Sequence, residues 1–481
     1  MFFLGAAWRE PLNVPGSTYH RKANRQMTTI AIVGAGFSGT LLTLHLLRCC
    51  PPSVKLILIE RTGRFGPGLA YSTGNAGHIL NVPAGRMSAF HDRPDDFLTW
   101  LRGQSATGAT PEAFVPRRVF GTYVRSLLND AVKRSEPGRL ALVRGAVTAI
   151  DTASRPLALT LDRGRRVTAD FVVLAAGNFP PEALPVATPA FYDSPGYRPD
   201  PWSPTALSGL KSDDAVLLIG TGLTTVDIAI SLLDRGHTGP IHALSRRGLL
   251  PQRHAALPRP SPLHAPFPTS LTALTRFLRQ EVRRASAEGS GWQPVVDELR
   301  PFTVDIWQSL SFPDRKRFLR HARPWWDTHR HRMAGSVADR IDAARAGGQL
   351  RISAGRVREY VTGEDRIEVR FRPRGEEMLR SLHVARVVNC SGSLTDFDRI
   401  QDPLMRSLLA DGAVRPDPLR LGLDVSASCA MFDRTGALSR RLFAVGPITK
   451  GTFWEMTAVP DIRRQAGQLA EHLSVLARLV G

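Results

Sequence analysis

The chain has few cysteines and no recognisable metal-binding spacing. Only four of its 481 residues are cysteines, and they form neither a C-x-x-C pair nor a zinc motif. This excludes a disulfide framework and the paired redox cysteines of disulfide reductases, and it predicts a reducing, cytoplasmic location. Cys49 and Cys50 are adjacent and are expected to pack at a helix end. His321, His329 and His331 lack a carboxylate or cysteine to complete a ligand set, so we predict no metal site.

Lysine and acidic residues are also scarce. The chain has 43 Asp and Glu against 63 Lys and Arg, which gives a net charge of +20, yet only six of the basic residues are lysines. A basic excess favours nucleic acid or a membrane surface when it is clustered. Here the arginines are spread over most of the chain, which indicates a compositional bias. We therefore predict no nucleic-acid partner and no membrane partner, and a homo-oligomer is compatible with the sequence.

One apolar segment near the start of the chain contains no Asp, Glu, Lys or Arg. Residues 28–47 have the length of a membrane span, but their glycine cluster fits a strand, a turn and a helix better. Residues 1–27 open with a short apolar stretch that has no preceding positive segment, so we expect a disordered leader or an over-extended start before Met27 rather than a signal peptide. No G-x-S-x-G elbow is present, which leaves Ser-His-Asp hydrolysis without support.

What the sequence does contain is a glycine fingerprint between two apolar strands, in a segment that ends at Glu60. Gly34 permits the tight turn, Gly36 lets the backbone approach a pyrophosphate, and Gly39 lets the helix pack on the strand. Glu60 is placed to accept hydrogen bonds from the ribose hydroxyls. The predicted cofactor contacts of this unit are Gly34, Gly36, Phe37, Ser38, Gly39, Glu60 and Arg61, with Val147, Ala176 and Gly177 farther along the chain.

A second fingerprint, "LLIGTGLTTVD", lacks the third glycine. Gly220 and Gly222 are kept, and the small residue Thr225 stands third. Glu60 follows Gly34 by 26 residues, and the same offset from Gly220 reaches Arg246, within the run Ser245, Arg246 and Arg247. A guanidinium there can bind a 2′-phosphate through a charge-assisted fork. The second site is therefore predicted to hold NADP(H); the alternative is that these are ordinary surface arginines.

The order of elements then repeats. Each round runs from a fingerprint through a helix and a second strand to antiparallel strands, and closes on an apolar strand that ends in Gly177 or Gly392. This pattern predicts a duplicated architecture with little sequence identity. The second round is interrupted at about 251–348 by a helical, Arg- and Trp-rich insertion. A strand and a helix remain at the C-terminus, where they are expected to complete the first domain.

The whole arrangement resembles the two-dinucleotide-domain flavoproteins, in which the first domain holds FAD and an inserted domain holds NAD(P)H. "GTGLTTVDIA" resembles the corresponding stretch of flavin-containing monooxygenases. "GPGLAYSTGNAGHILNVPAGRMSAF", "PRRVFGTYVRSLL", "RPWWDTHRHRM" and "TKGTFWEMTAVPDIRRQA" are similar to a bacterial family known only as FAD/NAD(P)-binding proteins. The resemblance covers nearly all of the chain from Thr28 onward, and it implies FAD and NADPH as cofactors.

The resemblance also implies the fold and the domains. We expect an α/β protein with two Rossmann-like dinucleotide-binding domains and a helical insertion. The expected segments are a leader at 1–27, the first part of the FAD domain at 28–205, the NAD(P)H domain at 206–395 and the completing part of the FAD domain at 396–481.

Two family features are absent. Baeyer–Villiger and related monooxygenases carry F-x-G-x-x-x-H before the second fingerprint, whereas "FYDSPGYRPDPW" has no histidine. This disfavours Baeyer–Villiger chemistry. The C-terminal Gly-Asp that contacts the flavin in many relatives is replaced by Gly446 and Pro447, and Gly446 is retained as a predicted cofactor contact.

By analogy with amine-hydroxylating relatives, "HILNVPAGRMSAF" is expected to pass the flavin ring. Asn81 would offer an amide and Arg86 a cation, with Met87 and Phe90 as apolar walls; the alternative is an ordinary surface loop. The last helix would direct its N-terminus at the flavin, so Thr457 and Pro460 are predicted cofactor contacts. Trp454 and Glu455 are candidate pocket residues, although core packing explains Trp454 equally well.

Three functions fit this pattern. The first is an FAD- and NADPH-dependent monooxygenase that uses dioxygen on a small, amine-bearing substrate. The second is a flavin oxidoreductase that passes electrons to a non-oxygen acceptor. The third is a protein that binds FAD and nucleotide without turnover.

Overall fold

The computed structural model describes residues 27–104, 108–255, 257 and 262–480. The predicted leader lies outside the described residues, apart from Met27. The strands are β1 (Thr29–Val33), β2 (Lys55–Glu60), β3 (Leu140–Arg144), β4 (Val147–Asp151), β5 (Leu157–Leu161), β6 (Arg166–Ala169), β7 (Phe171–Leu174), β8 (Tyr197–Arg198), β9 (Val216–Ile219), β10 (Ile241–Ser245), β11 (Leu350–Thr362), β12 (Ile367–Pro373), β13 (Arg380–Val384), β14 (Arg386–Asn389), β15 (Ala430–Phe432) and β16 (Leu438–Ala444).

Helices connect these strands and fill the segment between β10 and β11. They are α1 (Phe37–Cys49), α2 (Gly68–Tyr71), α3 (Asp96–Gly103), α4 (Arg117–Arg134), α5 (Leu223–Asp234), α6 (Leu271–Ala287), α7 (Trp292–Glu298), α8 (Thr303–Ser309), α9 (Phe312–Arg317), α10 (Arg323–Arg330), α11 (Gly335–Ala346), α12 (Pro403–Ala410), α13 (Lys450–Phe453) and α14 (Val459–Val480). None of the described helices combines the length and the hydropathy that crossing a membrane requires.

The first sheet has the strand order β15-β16-β7-β1-β2-β3 and is parallel apart from β15. Its central strands are short apolar runs that are buried on both faces, as parallel sheets require. β16 comes from near the C-terminus and pairs with β7. The strands of the first sheet therefore come from segments before and after the segment that forms the second sheet. A separate antiparallel sheet, β4-β5-β6, lies next to it in the chain.

The second sheet has the order β13-β12-β11-β10-β9-β14-β8. Five of these strands are parallel, and β11, β12 and β13 form an antiparallel extension. β9, β10 and β14 stand where β1, β2 and β7 stand in the first sheet, so the predicted duplication of architecture is confirmed. The predicted boundary between residues 205 and 206 is wrong in one respect, because β8 precedes it and yet belongs to the second sheet. A two-residue strand leaves no periodic signal in the sequence.

The predicted insertion is helical. Helices α6, α7, α8 and α10 contribute to a small apolar cluster within the insertion, whereas α11 packs against α5 and β11 of the second domain. Trp307 of the insertion stacks on Trp454, which comes from the C-terminal segment. The insertion therefore bridges the second domain and the segment that completes the first sheet.

Candidate functional site

The first glycine turn has the geometry of a dinucleotide site. Gly34 adopts φ +105°, and a Cβ there would lie 2.4 Å from the carbonyl oxygen of Ala175. A Cβ at Gly39 would lie only 1.9 Å from the carbonyl oxygen of Gly34. Both positions therefore require glycine for close packing of α1 on β1 and β7. Helix α1 begins directly after Gly36, so its free N–H groups point toward the space above the turn.

Two further glycines close over this turn, and the sequence analysis did not select them. Gly66 donates its N–H to the carbonyl oxygen of Ala35 at 2.9 Å, and a Cβ on Gly68 would lie 2.9 Å from the Cα of Gly36. The backbone at Gly66 and Gly68 thus lies against the fingerprint, and at Gly68 there is no room for a side chain. The glycine spacing in this stretch was the signal that could have identified them.

The predicted ribose-binding carboxylate ends β2. Glu60 Oε2 accepts the N–H of Ala35 at 3.0 Å, and its Oε1 accepts the N–H and the hydroxyl of Thr62. These bonds hold the carboxylate beside the turn. Arg61 lies outside the turn with 68% of its side chain exposed, 4.0 Å from Asp402.

The loop after β16 returns to the start of α1. A Cβ on Gly446 would lie 2.4 Å from Ser38 Oγ, and the N–H of Gly446 is held by Gln465 Oε1 at 2.8 Å. Gly446 and Ser38 therefore meet, although more than 400 residues separate them in the chain. Ala176 is half-buried, and Gly177 adopts φ +72° with no atom within 4 Å of a Cβ built there, so it faces open space. Val147 begins β4 and is buried, away from this loop in the sequence.

The second turn repeats the first. A Cβ on Gly220 would lie 2.4 Å from the carbonyl oxygen of Cys390, as one on Gly34 would from Ala175. Helix α5 begins directly after Gly222, where a Cβ would meet nothing within 4 Å. Thr225 replaces the third glycine and is buried. The altered fingerprint therefore still forms the turn.

The alignment of Arg246 with Glu60 is wrong by one residue. Strand pairing matches Val33 with Ile59 and Ile219 with Leu244, so the connection after the second fingerprint is one residue shorter. Ser245 is the structural counterpart of Glu60. Its Oγ lies 2.9 Å from Thr221 Oγ1 and accepts the N–H of Gly248 at 3.0 Å. Arg246 is exposed and corresponds to Arg61.

A cavity of about 530 Å³ opens beside this loop. It lies between the residues that follow β10, the end of α11 and the first half of β11. Its lining includes three arginines, one of them a predicted 2′-phosphate ligand: Arg247, Arg253 and Arg345. The sequence analysis missed Arg253 and Arg345, which come from the insertion. Arg253 pairs with Asp339 and Arg345 pairs with Asp342, so the positive charge at the end of β10 comes from Arg247.

The loop with Asn81 and Arg86 contacts the insertion. The carbonyl oxygen of Asn81 lies 3.0 Å from His254 Nε2, and Arg86 lies 4.0 Å from Asp297 with 48% of its side chain exposed. Met87 and Phe90 are buried; Phe90 packs against His45 and under the guanidinium of Arg93. Of these four predicted residues, the structure brings Asn81 and Arg86 to the boundary between loop and insertion.

Glu455 lies in a buried polar cluster with the insertion. It accepts hydrogen bonds from Trp326 Nε1 at 2.7 Å and from Arg330 Nε at 3.1 Å, and both charged side chains are at least 93% buried. Burial raises the pKa of this carboxyl, but the positive charge of Arg330 and the hydrogen bond from Trp326 outweigh that effect, so its pKa is below the usual range. Glu455 is therefore an ionised acceptor.

The cluster extends toward Arg86 and toward α14. Arg332 donates to Asp297, which also faces Arg86, and Arg300 donates to Asp461 at 3.1 Å. Among the described residues, Arg330 Nη2, Arg300 Nε and Arg332 Nε have no hydrogen-bond partner. The sequence analysis missed these arginines. The signal was Trp326 and Arg330 in "RPWWDTHRHRM", which are four residues apart on one helix face and both reach Glu455.

The Trp454 side chain is buried among aromatic side chains. It stacks on Trp307 with ring centroids 4.8 Å apart and meets Phe318 edge to face. Its backbone has φ +55°, which is unusual for a bulky residue and which this packing must hold in place. Thr457 is exposed, and Pro460 is the second residue of α14. No cluster of three or more His, Cys, Asp or Glu suited to a metal occurs in the part of the chain that the structure describes.

Lys450 gives this region a testable pH dependence. Burial and the nearby Arg323 lower its pKa from 10.5 to about 8, although Asp327 and Glu455 oppose the shift. Between pH 8 and 10.5 the unfolded chain therefore binds more protons than the folded one, so stability rises with pH there. We expect Lys450→Met to be more stable relative to wild type at pH 7, and this advantage to shrink by about 3 kcal/mol by pH 10.5. Urea unfolding of both proteins across this range measures it, and a constant difference would contradict it.

The two sheets and their glycine turns define a protein with two dinucleotide-binding domains. Residues 31–179 match the model of a family described as FAD-NAD(P)-binding, which makes the first of these an FAD/NAD(P)-binding domain. No curated protein matches the sequence.

Solved structures share this fold over almost the whole chain. L-lysine 6-monooxygenase from Pseudomonas syringae is 16% identical with a TM-score of 0.65, covering 93% of this chain and 99% of its own. Ornithine N-hydroxylase from Kutzneria, with reduced FAD, NADP⁺ and L-ornithine, is 16% identical with a TM-score of 0.63, covering 94% and 99%. The FAD-bound cadaverine monooxygenase of Erwinia amylovora is 12% identical with a TM-score of 0.61, covering 92% of each chain. The predicted α/β fold with two Rossmann-like domains is confirmed.

Proposed function

We propose that this chain is an FAD-dependent oxidoreductase that takes hydride from NADPH, and that it is a monooxygenase of a small, amine-bearing substrate. The observation that supports the proposal is the pair of glycine turns with different strand ends, Glu60 at one and Ser245 with two arginines at the other. When bound, NADPH supplies hydride and FAD passes electrons to dioxygen for insertion into the substrate. The similar proteins act on lysine, ornithine and cadaverine, which are amines.

The residues present fit both dinucleotides. Gly177 lies beside the first turn and Gly222 within the second, and both leave open space where a Cβ would stand. Glu60 would hold the ribose of FAD, and the start of α1 would face its pyrophosphate. Gly220, Gly222 and Ser245 would hold NADPH, with Arg246 and Arg247 on its 2′-phosphate. We propose domain segments at 28–205, 206–395 and 396–481, with β8 assigned to the second.

The insertion and the C-terminal segment would form the reaction pocket. The cluster around Glu455 and Arg330 closes the side next to α14, and the loop with Asn81 and Arg86 forms the adjoining side. The unpartnered N–H groups of Arg330 and Arg300 suit a carbonyl or an anionic group of a bound molecule. These residues would orient the bound groups and exclude water.

Anaerobic mixing of the purified protein with NADPH, followed by oxygen and an amine, tests the proposal. We expect yellow protein whose flavin NADPH bleaches faster than NADH does, and oxygen uptake that requires one of lysine, ornithine or cadaverine and yields a hydroxylamine. Rapid reoxidation with one peroxide per NADPH, whatever amine is added, would favour a non-oxygen acceptor instead. Flavin that NADPH cannot reduce would overturn the proposal.

Arg246→Ala and Arg247→Ala test the choice of NADPH. Loss of one charge-assisted hydrogen bond to a phosphate costs about 1.5–3 kcal/mol, so we expect NADPH to bind roughly 10–100-fold more weakly in at least one variant. NADH binding should hardly change, because NADH lacks the 2′-phosphate. Titration of the flavin reduction rate with each nucleotide measures both.

The matched control is Arg61→Ala. Arg61 occupies the position of Arg246 in the first domain, so its loss removes the same charge from the equivalent place without touching the second site. An unchanged NADPH preference in both Arg246→Ala and Arg247→Ala would show that the 2′-phosphate binds elsewhere.

A further inference from the structure

Helix α5 of the second domain is fastened to the first domain by a buried ion pair outside both glycine turns. Asp227 Oδ2 accepts a hydrogen bond from Arg117 Nη1 at 2.7 Å, and the two side chains are only 7% and 13% exposed. The same guanidinium donates from Nε to the carbonyl oxygen of Ile79 at 3.3 Å. Arg117 is the first residue of α4, so the pair joins α4 of the first domain to α5 of the second domain.

A histidine continues this contact along α5. His78 Nε2 lies 2.9 Å from the carbonyl oxygen of Asp227 and 2.8 Å from Ser231 Oγ, and its Nδ1 lies 2.7 Å from Thr73 Oγ1. Asn75 Nδ2 donates to the same Ser231 hydroxyl at 3.3 Å. Asp227 and Ser231 are four residues apart, so they share one face of α5.

The third contact on this face is a backbone approach. A Cβ on Gly77 would lie 2.6 Å from Asp234 Oδ2 and 2.8 Å from Ile230 Cγ2. A side chain at Gly77 would have to displace the ends of the Asp234 and Ile230 side chains on α5. We call Gly77, His78, Arg117 and Asp227 the interdomain latch.

The latch stands between the two halves of the proposed reaction. Helix α5 begins directly after Gly222, which belongs to the turn proposed to hold NADPH, and the loop with His78 continues directly to Asn81. A shift of α5 therefore moves the nucleotide relative to the loop that we place beside the flavin. The proposed NADPH ligands Ser245, Arg246 and Arg247 lie wholly within the second domain, so such a shift leaves them together.

We propose that the latch sets the orientation of the second domain for hydride transfer, with Arg117 and Asp227 as positioning residues. This inference rests on the proposed function. Hydride transfer needs the two rings in near contact, and a displacement of about 1 Å can cost about 100-fold in rate. The latch therefore controls the rate of flavin reduction and not the affinity for NADPH.

Stopped-flow reduction of Asp227→Asn and Arg117→Met at saturating NADPH tests the latch. We expect the limiting rate to fall at least about tenfold while the dissociation constant of NADPH and the flavin content stay near wild type. Asp227→Glu keeps the charge and should recover part of the rate. The control Glu376→Gln removes a carboxylate from an exposed pair with Arg380 on the β12–β13 hairpin and should change nothing.

Two results would overturn the latch. One is an unchanged limiting rate of flavin reduction in the variants. The other is a fall in that rate that is fully explained by lost flavin and lowered thermal stability. If wild-type flavin is not reduced by NADPH at all, the proposed function fails first, and that outcome is separate from these.

Discussion

Gly39→Ala is expected to give a protein that no longer retains FAD. The added Cβ would lie 1.9 Å from the carbonyl oxygen of Gly34 and 3.1 Å from the Cβ of Ala175. Both neighbours belong to the turn or to the strand end beside it, so neither can move without opening the turn. Helix α1 must therefore shift off the sheet, and its N-terminus no longer meets the pyrophosphate. The flavin-to-protein absorbance ratio after purification measures the effect.

The matched control is Gly467→Ala. Gly467 also lies inside a helix, α14, but its nearest neighbour would be His45 Cε1 at 3.7 Å, an ordinary contact. Both substitutions raise helix propensity by the same residue change, so only the clash differs. We expect Gly467→Ala to keep full flavin and to be slightly more stable. Full flavin in Gly39→Ala would mean that α1 does not pack on the first sheet as described.

Glu455→Gln is expected to lower the free energy of unfolding by about 3 kcal/mol, because it leaves the Arg330 guanidinium buried without a counter-charge. Burial at this site is nearly complete for both partners. The pKa of Glu455 is depressed, so its stabilising contribution is present above about pH 4.5 and is lost as the pH falls through its lower folded value. Urea unfolding at pH 7 and at pH 4 measures both effects.

A double-mutant cycle separates the pair from its surroundings. Arg330→Met alone should also destabilise, whereas Glu455→Gln with Arg330→Met should cost less than the sum of the two, since no isolated charge remains. The exposed pair Glu376 and Arg380 provides the reference, where Glu376→Gln should change stability by less than about 0.5 kcal/mol. Additive effects at Glu455 and Arg330 would contradict the buried ion pair.

The sequence was sufficient for the parts of the fold that local chemistry determines. A strand, a glycine turn and a helix are specified within a dozen residues, so Gly34, Gly39 and Gly220 could be placed. Strand β16 could be predicted because one strand and one helix remained at the C-terminus after the two repeated rounds of elements. The NADPH side was harder. The alignment of Arg246 with Glu60 assumed that both fingerprints are followed by connections of equal length. The connection between β9 and β10 is one residue shorter, so Ser245 occupies the position that corresponds to Glu60.

The buried polar cluster around Glu455 was the part that the sequence could not supply. Glu455 and Arg330 are 125 residues apart, and their pairing depends on how the insertion packs against α14, which no local pattern encodes. The same is true of Arg117 and Asp227, which are 110 residues apart. Asp227 was visible within "GTGLTTVDIA", but only the packed structure shows its charged partner.

The strand order of the first sheet has a consequence for synthesis. Strand β7 leaves the ribosome with one edge unpaired, and residues 175–437, including the whole second sheet, are made before β16 arrives to cover that edge. The second sheet can be completed on the nascent chain, whereas the first cannot. A nascent chain stalled before Leu438 should therefore expose the unpaired edge of β7, which can pair with strands of other chains. It should also bind nucleotide at the second glycine turn before it can bind flavin at the first.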